Sequence, residues 1–221
     1  MLKIIGYFLL FLFSLAFFIT GAVYLIARTF GQLAWNPESK AFKRLLRDLR
    51  SRVNKVAGDL VPWDHEMLGL LSLNRINEKK PGWFNQVYSG QFTTIYHEPV
   101  LAYATQKMGK LSVTVVRTSK REFVLRRKGR ETEIWLDNKP LGLFVDGVLL
   151  APGKGSNMLA RLENKPDEAE SPLMLGNNTA ATIHNPKKVD SPNPRALTLL
   201  RPLDEQEENV TLAVALEQLG R

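Results

Sequence analysis

The 221-residue chain contains no cysteine, which excludes disulfides, thiolate metal sites, a cysteine nucleophile and S-acylation as an anchor. Histidine is almost as scarce. Its three copies, His65, His97 and His184, stand far apart, with no pair at metal-ligand spacing and no serine–aspartate pattern of a triad. Trp63, His65 and Glu66 come nearest to a metal or acid–base cluster, and without a second histidine they fall short of one. No dinucleotide-binding βαβ pattern, Walker sequence or internal repeat is present. The residues therefore point to a non-enzymatic protein with no catalytic group, metal or cofactor. Aromatics are also few in the basic stretches, whereas a nucleic-acid-binding face interleaves the two.

What the chain does have is an uneven charge. Its formal +8 is concentrated in two blocks: residues 28–55 hold eight cations against two carboxylates, and residues 107–130 hold nine against one. The first block adjoins "IIGYFLLFLFSLAFFITGAVYLIA", Ile4–Ala27, which carries no charge. At about 1.5 Å per residue a helix of this length spans roughly 36 Å, enough for a hydrocarbon core of about 30 Å. Tyr7 and Tyr24 lie near its ends, where amphipathic rings favour the interface. The run exceeds the roughly 7–15 apolar residues of a cleaved signal sequence, so a retained transmembrane helix is expected. Arg28, Lys40, Lys43, Arg44 and Arg47 follow it, and the positive-inside rule sets that side in the cytoplasm. The expectation is a single-pass membrane protein with a cytoplasmic C-terminal domain.

In "NPESKAFKRLLRDLRSRVNKVAGD", Asn36 reads as an N-cap, Pro37 as the first helical residue and Gly58 as the stop. Phe42, Leu45, Leu46, Leu49, Val53 and Val56 form one apolar stripe, and cations cover the rest of the surface. Two readings stand side by side. The helix lies on an anionic leaflet, or it packs its stripe on the domain that follows.

"PWDHEMLGLLSLNRI" reads as a short helix capped by Asp64, and "NEKKPGW" as a linker or turn. From Gln91 the texture becomes short β-rich runs, beginning "QFTTIYH", "VLAYATQKM", "LSVTVVR", "EFVLRRK" and "TEIWLD". They are broken by "MGK", "KGR", "DNKP", "DGV" and "GNN". Strands at about 8–12-residue spacing argue for an antiparallel sandwich or barrel.

The chain closes on "DEQEENVTLAVALEQLG". Val210 to Leu216 alternates like a strand, so periodicity alone does not decide. The flanks do: Asp204 and Glu207 have the spacing of a capping box, and Gly220 stands where a helix would end. A helix over 205–219 is predicted, apolar all round after its acidic first turn. It is too short to span a bilayer and so belongs inside protein.

Short strands ending in this helix resemble the tubby-like superfamily, which includes the tubby C-terminal domain, phospholipid scramblases and LURP-one-related proteins. The resemblance covers roughly residues 90–221 and carries no catalytic motif. It implies a closed antiparallel β-barrel around a hydrophobic C-terminal helix, and membrane-proximal binding, often of anionic lipid headgroups. The absence of cysteine departs from the acylated segments of scramblases, and the transmembrane helix here is N-terminal.

The fold class expected is thus mainly β, a closed antiparallel barrel around a buried C-terminal helix. The N-terminal transmembrane helix and the basic amphipathic juxtamembrane helix precede it. The divisions are an anchor over 1–35, the amphipathic helix over 36–60, a linker with a short helix over 61–90, and the barrel over 91–221. The candidate lipid- or anion-binding residues are Lys120, Arg121, Arg126, Arg127, Lys128 and Arg130 around a predicted hairpin. Lys43, Arg44, Arg47 and Arg50 of the amphipathic helix join them, since arginine forks match phosphate geometry. The opposing reading is a solvated charged face that protects a strand edge. The function expected is membrane-anchored binding or scaffolding, with an anionic phospholipid surface or a protein as partner. A membrane-tethered nucleic-acid binder, or an exported anchored β domain, is the alternative.

Overall fold

The computed structural model describes residues 13–21, 36–79, 87–153, 157–163, 168–188, 191 and 193–220. The chain divides into two units, Met1–Arg47 and Asp48–Arg221. In the first, residues 13–21 are helical (α1), with Phe13, Phe17 and Phe18 83%, 79% and 74% exposed. No helix among the described residues is long and apolar enough to cross a membrane. The expected span Ile4–Ala27 lies mostly outside those residues.

Helix α2 (Lys40–Asn54) starts in the first unit and runs into the second. Its cap is Ser39 rather than Asn36. The Ser39 hydroxyl accepts the Phe42 N–H at 3.0 Å, while the Asn36 side chain is spent on the Glu38 N–H in the turn before it. A 3-10 turn, Ala57–Asp59, takes up Gly58 after the helix has ended. In the second unit Leu49 and Val53 are fully buried. Arg50 donates to Glu122 at 2.9 and 2.6 Å, Asn54 accepts from Arg117 at 2.6 Å, and the Val56 carbonyl accepts from Gln91 at 2.8 Å. Of the two readings of the stripe, packing on the domain holds for this half of the helix.

A short helix, α3 (Met67–Leu70), leads into twelve strands. They are β1 (Leu71–Lys79), β2 (Val87–Thr94), β3 (Pro99–Met108), β4 (Leu111–Arg117), β5 (Glu122–Lys128) and β6 (Glu131–Leu136). After these come β7 (Lys139–Val145), β8 (Val148–Leu150), β9 (Met158–Leu162), β10 (Glu170–Leu175), β11 (Asn178–His184) and β12 (Leu197–Leu199). Each pairs antiparallel with the next in chain order. The two-residue turns Asp137–Asn138 and Asp146–Gly147 have positive φ at both residues, the geometry that matches strand twist in a tight hairpin. Gly142 is required by packing: a Cβ there would stand 2.4 Å from the Leu150 carbonyl of β8.

The meander nearly closes on itself. Ahead of β12, the Ala196 N–H donates to the Leu71 carbonyl at 2.7 Å and the Leu73 N–H to the Pro194 carbonyl at 2.9 Å. Ser72 and Arg195 form the antiparallel bridge between them. The result is a mainly β, nearly closed twelve-strand antiparallel barrel. It begins at Leu71, ahead of Gln91, because β1 and the start of β2 belong to it.

Helix α4 (Glu205–Leu219) has the predicted limits. The Asp204 side chain accepts the Glu207 N–H at 2.8 Å, and the Asp204 N–H donates to the Glu207 carboxylate at 3.3 Å. Gly220 caps the other end at φ −83°, so it does not use glycine's left-handed freedom. Residues 210–217 are all buried, and the helix shares one core with the inward-facing side chains of the strands, among them Leu101, Phe123, Ile134, Phe144 and Leu173. Barrels of about eleven strands are wide enough for a central helix, and each buried Val or Leu contributes about 1.5–3 kcal/mol.

Strand β5 runs alongside α4. Arg121, just before it, meets Glu205 at the start of the helix, and Arg127 meets Glu217 near its end. Six residues of strand rise about 20 Å and twelve of helix about 18 Å, so the two pairs fix the helix lengthwise.

Candidate functional site

The start of α4 is closed by matched charge. The Trp63 indole N–H donates to Glu208 at 2.6 Å, and Arg121 bonds both Asp137, at 3.0 Å, and Glu205. Arg201 forks onto Glu207 at 2.7 and 2.5 Å. Hydrogen bonds from Arg201 hold the Glu207 carboxyl below the usual carboxylate range.

The end of α4 is different. Its last carbonyls carry the negative pole of the helix, and two arginines satisfy them. Arg127 Nη2 donates to the Glu217 carbonyl at 2.8 Å and to its carboxylate at 3.0 Å, and Arg75 Nη2 donates to the Leu219 carbonyl at 2.8 Å. Thr132 adds a 3.3 Å bond to the Glu217 carboxylate, which is 1% exposed. A buried carboxylate is tolerated only with such partners.

Beside that end, residues of β1 to β4 and the last turn of α4 line a cavity of about 510 Å³. Phe92, Val116, Leu216 and Leu219 give it an apolar floor. The Phe92 and Tyr103 rings lie 5.0 Å apart, with the Arg75 guanidinium over both at 5.0 and 5.8 Å. The Tyr103 hydroxyl donates to Glu78 at 2.9 Å; burial first, and that carboxylate second, push its pKa up to about 12. The Thr105 and Thr114 hydroxyls bond each other at 2.9 Å across β3 and β4. Lys107 lies 5.5 Å above the Tyr88 ring, and Lys79 also lines the cavity. Glu78 is 3.6 Å from Arg75. Among the described residues Lys79 and Lys107 have no carboxylate partner.

The basic hairpin of the sequence is not one patch. Alternation along β5 sends Arg126 outward and Arg127 inward: Arg126 is 8% exposed and paired with Glu133, while Arg127 caps α4. Lys120 and Arg121 lie at the closed end, Lys128 and Arg130 at the open one, about 20 Å away along the strand. Arg50 is bound to Glu122 and Lys43 faces Glu38 at 3.4 Å, whereas Arg44 and Arg47 are exposed. The open end collects cations that are distant in sequence. The Gly129 N–H donates to the Lys110 carbonyl at 3.1 Å, which joins the β3–β4 and β5–β6 turns. This brings Lys107, Lys110, Lys128 and Arg130, all exposed, to one end of the barrel, where Lys107 and Lys79 also line the cavity. Arg130 is 3.9 Å from Asp146.

The histidines are dispersed. His65 is exposed beside Glu66 at 4.0 Å, His97 sits in a turn, and His184 touches Thr198 at 3.1 Å. Among the described residues no group of His, Asp and Glu could hold a metal ion. No family model, curated protein or solved structure matches the chain. Fold and site together define a class: a helix-filled antiparallel barrel with one end closed by ion pairs and the other opening on an aromatic-lined cavity with a basic rim.

Proposed function

We propose that this chain is a membrane-anchored, non-enzymatic binding protein on the tubby-like plan. Its apolar N-terminal segment, Ile4–Ala27, holds it in the bilayer. The barrel lies on the cytoplasmic side and engages an anionic phospholipid surface. The observation that carries this reading is the basic rim of the open end. Lys79, Lys107, Lys110 and Lys128 are exposed and, among the described residues, without carboxylate partners. Each such cation gains about 1 kcal/mol near an anionic leaflet. The barrel wound around an apolar C-terminal helix is what supports the tubby-like assignment.

The test is clustering of vesicles by the full chain reconstituted in phosphatidylcholine, mixed with phosphatidylserine-containing vesicles and followed by light scattering. Clustering is expected to rise with the phosphatidylserine fraction, to fade as salt screens it, and to drop severalfold in Lys110→Glu/Lys128→Glu/Arg130→Glu. Equal clustering of neutral vesicles, or no change in the triple variant, would remove the lipid surface and leave a protein partner as the reading to pursue.

A further inference from the structure

We propose that the mouth cavity is a binding site for single-chain anionic amphiphiles, molecules with one acyl-type tail and a carboxylate or phosphate-monoester head. A cavity of about 510 Å³ falls within the roughly 300–1,000 Å³ typical of small-molecule sites, which combine an apolar lining with a few placed polar groups. Here the two kinds of surface are segregated. Phe92, Val116, Leu216 and Leu219, each less than 5% exposed, form the floor. The cations stand at the lip, and the paired Thr105 and Thr114 hydroxyls lie on the wall between strands. A tail laid on the floor leaves water, while its head stays at the solvent edge.

The sign of the head follows from which charges are already committed. Arg75 is held by the Leu219 carbonyl, by Glu78 and by the two rings beneath it. Glu78 is likewise committed, to Arg75 and the Tyr103 hydroxyl. Arg75 and Arg127 answer the negative pole of α4, so it does not repel an anion. Lys79 and Lys107 remain without a carboxylate or carbonyl partner among the described residues, Lys107 having only the Tyr88 ring beneath it. An anionic head between them makes charge-assisted hydrogen bonds, which are stronger than neutral ones; a cationic head meets two like charges.

The site is separate from surface binding, because one molecule inside the cavity needs no bilayer. The two readings also fail separately: clustering is tested through Lys110, Lys128 and Arg130, and the cavity through Lys79 and Lys107. The experiment uses the full chain in phosphatidylcholine nanodiscs and follows 11-(dansylamino)undecanoate fluorescence against empty nanodiscs. Saturable binding is expected. Dodecanoate or dodecyl phosphate should displace the probe, and dodecanol or dodecyltrimethylammonium should compete at least tenfold more weakly. Lys79→Glu/Lys107→Glu, at exposed positions, should weaken binding at least tenfold, and Thr114→Trp should abolish it by filling the cavity from its wall. The double variant keeps the test decisive if Thr114→Trp does not fold. No saturable binding, competition by dodecanol equal to that by dodecanoate, or an unchanged affinity in the double variant would overturn the proposal.

Discussion

At the start of α4 each of Glu205, Glu207 and Glu208 meets a donor from the barrel or its approaches, whereas at the other end two arginines cap the helix and lysines are left over at the lip. Both ends also satisfy terminal backbone groups of the helix, the first through the Asp204 carboxylate on the Glu207 N–H and the second through the two arginines on its last carbonyls. They do so with different surplus. The first end consumes its charges and closes. The second keeps a cavity and uncommitted cations, and a surplus of that kind is available to a ligand.

Substitutions can separate the middle of α4 from its two ends. The largest effect belongs to the middle. Leu212 is 2% exposed, and Leu212→Ala should cost about 2–5 kcal/mol in chemical unfolding, through lost transfer energy and the void left behind. A loss below about 1 kcal/mol would mean that α4 is not embedded in the core. A smaller loss, about 1.5–3 kcal/mol, is expected for Trp63→Phe, which removes a hydrogen bond to the charged Glu208. Its affinity for the dansyl probe should match that of the wild type. Weakened probe binding in Trp63→Phe would show that the closed end is coupled to the mouth, and the division drawn between them would fall.

How much of this could be read in advance depended on how far each signal extends along the chain. The limits of α4 rest on Asp204, Glu207 and Gly220, all local to the helix, and the structure keeps them. The hairpin turns were equally legible, since Asn, Asp and Gly advertise positive φ. Strand β1 was missed: in "LLSLNRINEK" the first apolar residues continue a helical run, and Asn and Glu are poor strand formers. Strand β8, three residues long, is too short for any periodicity. The seam joining Leu71 and Leu73 to Pro194 and Ala196 is a long-range pairing with no local mark.

The basic hairpin teaches a different lesson. Residues from Lys120 to Arg130 are neighbours in sequence, yet a strand of period two throws Arg126 and Arg127 to opposite faces and carries Lys120 and Lys128 to opposite ends. That much was available from strand geometry alone. The cavity was not, because Arg75, Tyr88, Tyr103, Lys107 and Leu219 converge only once β1 to β4 pair and α4 is in place.

The central claim is that the molecule binds at the open end. Hydrogen exchange of the full chain in phosphatidylcholine nanodiscs, with and without dodecanoate, tests it most directly. Added protection is expected over 87–92, 101–107 and 216–220, with none over 118–122 or 201–208. Protection confined to the closed end, or no change anywhere in the barrel, would contradict the account.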